Sequence, residues 1–130
     1  MKSLFQDVVR CRVGELASSG GVWTASFVFP PEFTGFDGHF PGNPMLPGIA
    51  QICAVQAVVA ETDAGRDAVP LRLLSVKRCK FIRPVLPGET MDVAFVGETE
   101  SGVLKCKADI SVGGAACASL SLTFASGGAS

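Results

Sequence analysis

The sequence predicts an α+β chain in which a strongly curved antiparallel sheet wraps around one buried helix. Three observations predict it. The segment Ile49 to Glu61 runs without a breaker and is apolar on nearly every side, with only Gln51 and Gln56 inside it, so other structure has to cover it. Two extended segments precede it, and about four consecutive ones follow, separated by glycine- and proline-marked turns. At 130 residues, the chain has length for one domain with a real core and not for two of ordinary size, so a single domain spanning 1–130 is expected.

Taken in order, Gln6 to Leu16 reads as a strand around Val8-Val9-Arg10-Cys11-Arg12-Val13, turned by Ser18-Ser19-Gly20-Gly21. In the return strand Trp23, Ala25, Phe27 and Phe29 share the face expected to lie on the helix, until Pro30-Pro31 ends it. The helix follows Pro47, and its many Val and Ile residues have modest helix propensity, so burial has to hold it. Thr62 to Ala68 is a polar connection with Gly65 as a helix stop. Leu71 to Arg83 is a long strand ending in a proline-bracketed turn. Thr90 to Thr99 then puts Met91, Val93 and Phe95 on one face. In Val103 to Val112, Leu104, Cys106, Ala108 and Ile110 oppose Lys105, Lys107 and Asp109. After Gly113-Gly114, Ala116, Ala118, Leu120, Leu122 and Phe124 oppose Cys117, Ser119, Ser121 and Thr123.

Composition narrows the function. A net charge of −1 argues against nucleic acid or acidic membranes as partners. Phe5-Gln6-Asp7 interrupts any signal-peptide pattern, and no apolar run reaches membrane-spanning length, so a cytoplasmic protein is expected. The five cysteines are scattered singly, without zinc-ligand spacing, and read as small apolar core residues. No metal, no phosphate loop and no nucleophile elbow is expected. High apolar content with few charges favours an oligomer that hides surface.

Chemistry concentrates in Gly38-His39-Phe40-Pro41-Gly42-Asn43-Pro44-Met45-Leu46-Pro47-Gly48, which holds the one histidine of the chain. Its three prolines and three glycines specify a stiff loop, and the helix begins at its end. His39 is thereby held near the first free N–H groups of a helix, an end that favours developing negative charge. A solitary histidine is more often bonded to a loop carbonyl, and the loop around this one is what turns the reading toward a base beside an oxyanion site. Asp37 could orient the imidazole, although an aspartate beside Gly38 is more often a turn former.

These residues resemble the active-site motif of the hotdog-fold 3-hydroxyacyl-acyl-carrier-protein dehydratases, and Lys80-Phe81-Ile82-Arg83-Pro84-Val85-Leu86-Pro87-Gly88-Glu89 resembles a second segment of that family in the right order. The resemblance implies a hotdog domain, a homodimer whose two sheets join edge to edge or a trimer of such dimers, and an acyl chain carried as a thioester on acyl carrier protein or coenzyme A, with no cofactor. It implies that His39 takes the proton α to the thioester and that the Gly48 N–H stabilises the enolate-like oxygen. Phe40, Pro41, Gly42, Met45, Pro47, Gln56 and Phe81 would line the substrate site, and Lys77, Arg78, Lys80 and Arg83 would receive the carrier, unless they form an ordinary solvated strand.

One departure stands out. Fourteen residues after the histidine, where the family carries a glutamate or aspartate supplied by the other subunit, this chain has Cys53. A thiol is a weak stand-in for a carboxylic acid, Gln56 has no ready proton, and Glu61 lies about 12 Å further along the helix. A reactive nucleophile is not expected at Cys53, because nothing cationic adjoins it in sequence. Three readings follow: a dehydratase using His39 with Cys53, Gln56 or water as acid; an acid-deficient subunit working with a partner chain; or a thioesterase-like or acyl-binding hotdog protein.

Overall fold

The structure is a computed structural model, and it describes residues 4–33, 36, 45–62 and 72–125. A short helix α1 (Leu4–Val9) leads into β1 (Arg12–Ser19) and β2 (Val22–Val28), followed by helix α2 (Gly48–Val59). Then come β3 (Arg72–Phe81), β4 (Thr90–Glu100), β5 (Val103–Val112) and β6 (Ala115–Ala125). The six strands form one antiparallel sheet in the order β1-β2-β4-β5-β6-β3. The strand that follows α2 thus crosses to the far edge of the sheet, while the three consecutive hairpin strands fill the middle.

Alternation decides what faces the helix. Ala25, Phe27 and Phe29 of the β2 segment, Met91, Val93 and Phe95 of β4, and Leu104, Cys106, Ala108 and Ile110 of β5 are buried in one cluster with Ala50, Ala54, Val55, Val58 and Val59 of α2. Each large side chain removed from water this way contributes about 1.5–3 kcal/mol. The intervening Lys105, Lys107 and Asp109 are exposed.

Four details differ from the sequence expectation. Residues Leu4–Val9 are helical, and the first strand starts only at Arg12, because Val8 is fully buried as part of a helix docked against α2. In β6, Ala116 is exposed and Cys117 buried. The register with β5 slips between Ile110 and Ser111, and such a bulge turns the next side chain to the other face. Cys79 is exposed, so the cysteines do not all belong to the core; Cys106 and Cys117 do. Helix α2 is also less enclosed than its composition predicts, since Ile49 is 57% exposed while Ile52, Cys53 and Gln56 are only partly covered.

Candidate functional site

Both chain ends that border the histidine loop are anchored. On the incoming side the rings of Phe27, Phe29, Phe33 and Phe36 form a chain of contacts with successive centroids 6.0, 4.9 and 5.7 Å apart, and all four are buried. On the outgoing side the Leu46 N–H donates to the Val85 carbonyl at 2.8 Å, and the Gly88 N–H donates to the Phe29 carbonyl at 2.8 Å. The segment after β3 is therefore tied both to the start of α2 and to the end of β2. Asp37, His39, Phe40, Pro41 and Gly42 lie outside the described residues.

Pro47 stands at the N-cap of α2 in an extended conformation, and no side chain caps the helix. The Ala50 and Gln51 amides donate to the Pro47 carbonyl at 3.1 and 3.3 Å, so the Gly48 amide precedes the first helical bonds. The Phe81 ring lies directly against Gly48: a Cβ there would stand 2.6 Å from Phe81 Cζ. Only glycine lets the ring approach the helix start this closely.

Around this contact opens a cleft of about 420 Å³ lined by Met45, Leu46, Pro47, Gly48, Gln51, Phe81, Ile82, Arg83 and Pro84. Its walls are mostly apolar, and Phe81 and Ile82 remain about half exposed. Of the residues singled out in the sequence, the cleft brings together Met45, Pro47, Gly48, Phe81 and Arg83. Cys53 and Gln56 sit further along α2 on its incompletely covered face. Burial raises the Cys53 thiol above its ordinary value of 9.0, which keeps it protonated near neutrality. Glu61 is committed elsewhere, in an ion pair with Arg12.

The basic group divides. Arg83 lines the cleft, Lys80 is exposed opposite Ser119, and Lys77 and Arg78 line a basin of about 550 Å³ with Val96, Glu98, Lys105, Lys107, Ser121 and Thr123. Lys105 and Lys107 point away from the core, so the basin lies on the outer face of the sheet. Arg78 has φ 50°, within a register shift between Lys77 and Lys80 that breaks the regular alternation of β3. The basin is the larger of the two and no helix N-terminus lines it, whereas the cleft opens at the start of α2.

Gln51 was passed over as a site residue in the sequence. It is 3% exposed, its Nε2 donates weakly to the Leu46 carbonyl at 3.5 Å, and its Oε1 is buried with no hydrogen-bond partner. An unpaired buried acceptor of this kind costs about 1–3 kcal/mol. The available signal was its spacing, three residues after Gly48 and so on the same side of the helix. Among the described residues, no group of His, Cys, Asp and Glu side chains could hold a metal ion, and no helix is long and apolar enough to cross a membrane.

Residues 15–120 match the ApeI-like family, described as ApeI dehydratase. The chain is 34% identical over 97 residues to the 3-hydroxyacyl-[acyl-carrier-protein] dehydratase FabZ of Alkaliphilus metalliredigens, covering 69% of this chain and 64% of that protein. It is 34% identical over 131 residues to the FabZ of Levilactobacillus brevis, covering 93% of this chain and 81% of that one. Among solved structures, the dehydratase heterocomplex ApeI:P from Xenorhabdus doucetiae superposes with a TM-score of 0.68 at 20% identity, over 88% of this chain and 96% of the other.

Proposed function

The chain belongs to the ApeI-like dehydratase family and has the hotdog fold, and from that premise we propose that it acts in removing water from a (3R)-3-hydroxyacyl thioester to give a trans-2-enoyl thioester in fatty-acid or related lipid synthesis. The observation that carries this reading is the uncapped start of α2 at Gly48, opening into an apolar cleft directly after the His39 loop. The thioester carbonyl would accept the Gly48 N–H, where the helix end offsets the negative charge that develops as the α proton leaves. His39 would take that proton. The Cβ–O bond then breaks, and the departing hydroxide needs a proton to leave as water.

That last proton separates two readings. In a homo-oligomer it would come from the Cys53 thiol or from a water held by Gln56; losing a carboxylic acid at this point slows such a step by about a hundred- to ten-thousandfold. A second reading, in which this chain supplies His39 and a partner chain supplies the acid, is favoured by one specific observation. The thiol at the acid position is pushed up by burial, away from easy proton release, on an incompletely covered helix face. The solved structure named as an ApeI:P heterocomplex supports the same reading. In either case we propose that the partner surface runs along β3, a sheet edge with exposed Leu74, Val76, Phe81 and Ile82. The acyl chain would arrive on acyl carrier protein or coenzyme A, with Arg83 at the cleft mouth and Lys77, Arg78 and Lys80 as the further cations for docking.

Hydration of a crotonyl thioester and its reverse, followed by ultraviolet absorbance on the purified protein, tests this. Activity lost in His39→Ala and raised in Cys53→Glu is expected of a working site with a weak acid. No activity in the wild type and none gained by Cys53→Glu would overturn the homo-oligomeric enzyme and leave the partnered subunit, tested by adding the second chain.

A further inference from the structure

We infer that the basin on the outer face of the sheet is a phosphate-binding site that holds the nucleotide end of coenzyme A, an assignment that rests on the acyl-thioester reading above. Strand register builds it. Lys77 of β3 and Lys107 of β5 both pair with Ser121 of β6, so the three form one cross-strand row with a hydroxyl between two cations. Neighbouring strands lie about 4.8 Å apart, which lets both ammonium groups reach over Ser121. Lys105 stands two residues along β5 on the same face, about 7 Å away. Regular alternation would send Arg78 to the other face. At φ 50°, inside the register shift between Lys77 and Lys80, it lines the basin beside Lys77 instead. A left-handed backbone is unfavourable for arginine, and outliers of this kind gather at ligand sites. All four cations are exposed.

Charge, shape and reach select the ligand. Like charges crowded on one face repel, and a polyanion relieves the repulsion. Four cations and the one carboxylate of the lining, Glu98 opposite Lys105, leave the basin with a net charge of +3. The nucleotide end of coenzyme A carries a 3′-phosphate of about −1.5 to −2 and a diphosphate besides. The guanidinium fork and the Ser121 hydroxyl donate to phosphate oxygens, and exposed Val96, opposite Lys107, seats the base. A concave volume of about 550 Å³ suits a small ligand, whereas a folded acidic partner needs a broad contact. Phe81 of the cleft follows Lys77 by four residues, about 13 Å along β3. Between the thioester sulfur and the first phosphorus of coenzyme A run about thirteen bonds, as many as in a little over four extended residues, or roughly 15 Å. One edge strand thus spans both ends of the thioester. A partner paired along the β3 edge would extend the sheet in its own plane and leave this face open.

The test is calorimetric titration of the full chain with 3′-phosphoadenosine 5′-diphosphate, ADP and inorganic phosphate. The wild type is expected to bind the 3′-phosphorylated nucleotide about tenfold more tightly than ADP and to hold inorganic phosphate more weakly still, with affinity falling as salt is added. Lys105→Gln with Lys107→Gln is expected to weaken the nucleotide about tenfold, while Arg10→Gln, an exposed cation ahead of β1 at the opposite sheet edge, changes it by less than about twofold. The same double variant should raise the KM of crotonyl-coenzyme A about tenfold and leave that of crotonyl-pantetheine unchanged. A wild type that binds the nucleotide no better than inorganic phosphate overturns the assignment, and this can be read even if the variants do not fold. So does equal weakening in the double variant and in Arg10→Gln, or a double variant impaired only toward a protein-carried thioester, which would give the basin to a protein surface. Nucleotide binding as expected without hydration of crotonyl-coenzyme A would uphold the basin and count against the dehydratase reading instead.

Discussion

The cleft beside Gly48 and the basin on the outer face of the sheet are similar in scale, about 420 and 550 Å³, yet they differ in kind. The cleft is built from groups with fixed directions: a backbone amide at a helix start, a ring lying on a glycine, and an amide oxygen held by burial. The basin is ringed by the long side chains of Lys77, Arg78, Lys105 and Lys107, which keep their mobility and their water, with Glu98 opposite Lys105 in register. Size does not separate a reaction site from a docking surface. What separates them is whether polar groups are buried and aimed, because only then are they worth more than their interactions with solvent.

The sharpest way to break this contrast is to disturb the cleft without touching its chemistry. Gly48→Ala places a methyl 2.6 Å from Phe81 Cζ, so the ring has to swing out. Steady-state kinetics should show kcat/KM for a small thioester lowered by about ten- to a hundredfold, as small misplacements at a reacting centre do. Thermal unfolding should move by only a few degrees, since Phe81 is half exposed and free to yield. Adding Phe81→Ala should recover part of the loss; a double variant as poor as Gly48→Ala would show that the ring is not what the methyl disturbs.

Beneath the basin, Cys106 offers a stability effect in place of a kinetic one. Burial pushes its thiol from 9.0 up to about 11. The unfolded chain releases this proton first as pH rises, so the stabilisation is complete below pH 9 and is lost progressively toward pH 11, by on the order of 2 kcal/mol. Denaturant unfolding of the wild type against Cys106→Ala across that window checks it. Equal slopes in both proteins would assign the alkaline loss to other groups.

A smaller effect is expected at the rim of the basin. Lys77→Gln with Arg78→Gln should raise the KM of a carrier-linked substrate several-fold and leave that of a short thioester within about twofold, as surface charges act mainly on encounter. Equal changes for both substrates would remove these two cations from carrier docking. The smallest effect belongs to Glu61→Gln at the far end of α2. Breaking its pair with Arg12 should cost about 0.5–1 kcal/mol in unfolding experiments, with no change in turnover.

Much of this architecture was readable beforehand. The alternation of Leu104, Cys106, Ala108 and Ile110 against lysines set the inward face of β5, and the breaker-free apolar run after Pro47 set α2. Period-two and helical patterns report burial directly, so they survive without knowledge of neighbours. Met45, Pro47 and Gly48 of the loop motif and Phe81 of the second segment line one cleft, and Arg83, singled out for carrier docking, lines it with them. The helix at Leu4–Val9 escaped because Val8-Val9 fits a strand equally well, and only docking against α2 decides between them. The strand faces at Ala116 and Cys117 escaped the alternation because a bulge shifts the face of a strand, and sequence alternation cannot see a bulge.

The amino-acid order by itself thus determined the sheet packed on one apolar helix, the inward faces of its central strands and the start of that helix after Pro47. Those features rest on local chemistry: side-chain period, proline and glycine dihedrals, and apolar composition. Tertiary structure alone decided that Lys77 and Arg78 part company with Arg83, that Phe81 lies on Gly48, and that one glutamine of α2 is buried unpaired while the other lies on a partly covered face. Each of these depends on which strand crosses to the sheet edge and where its register slips, and such long-range pairings are set by the packing of the whole core.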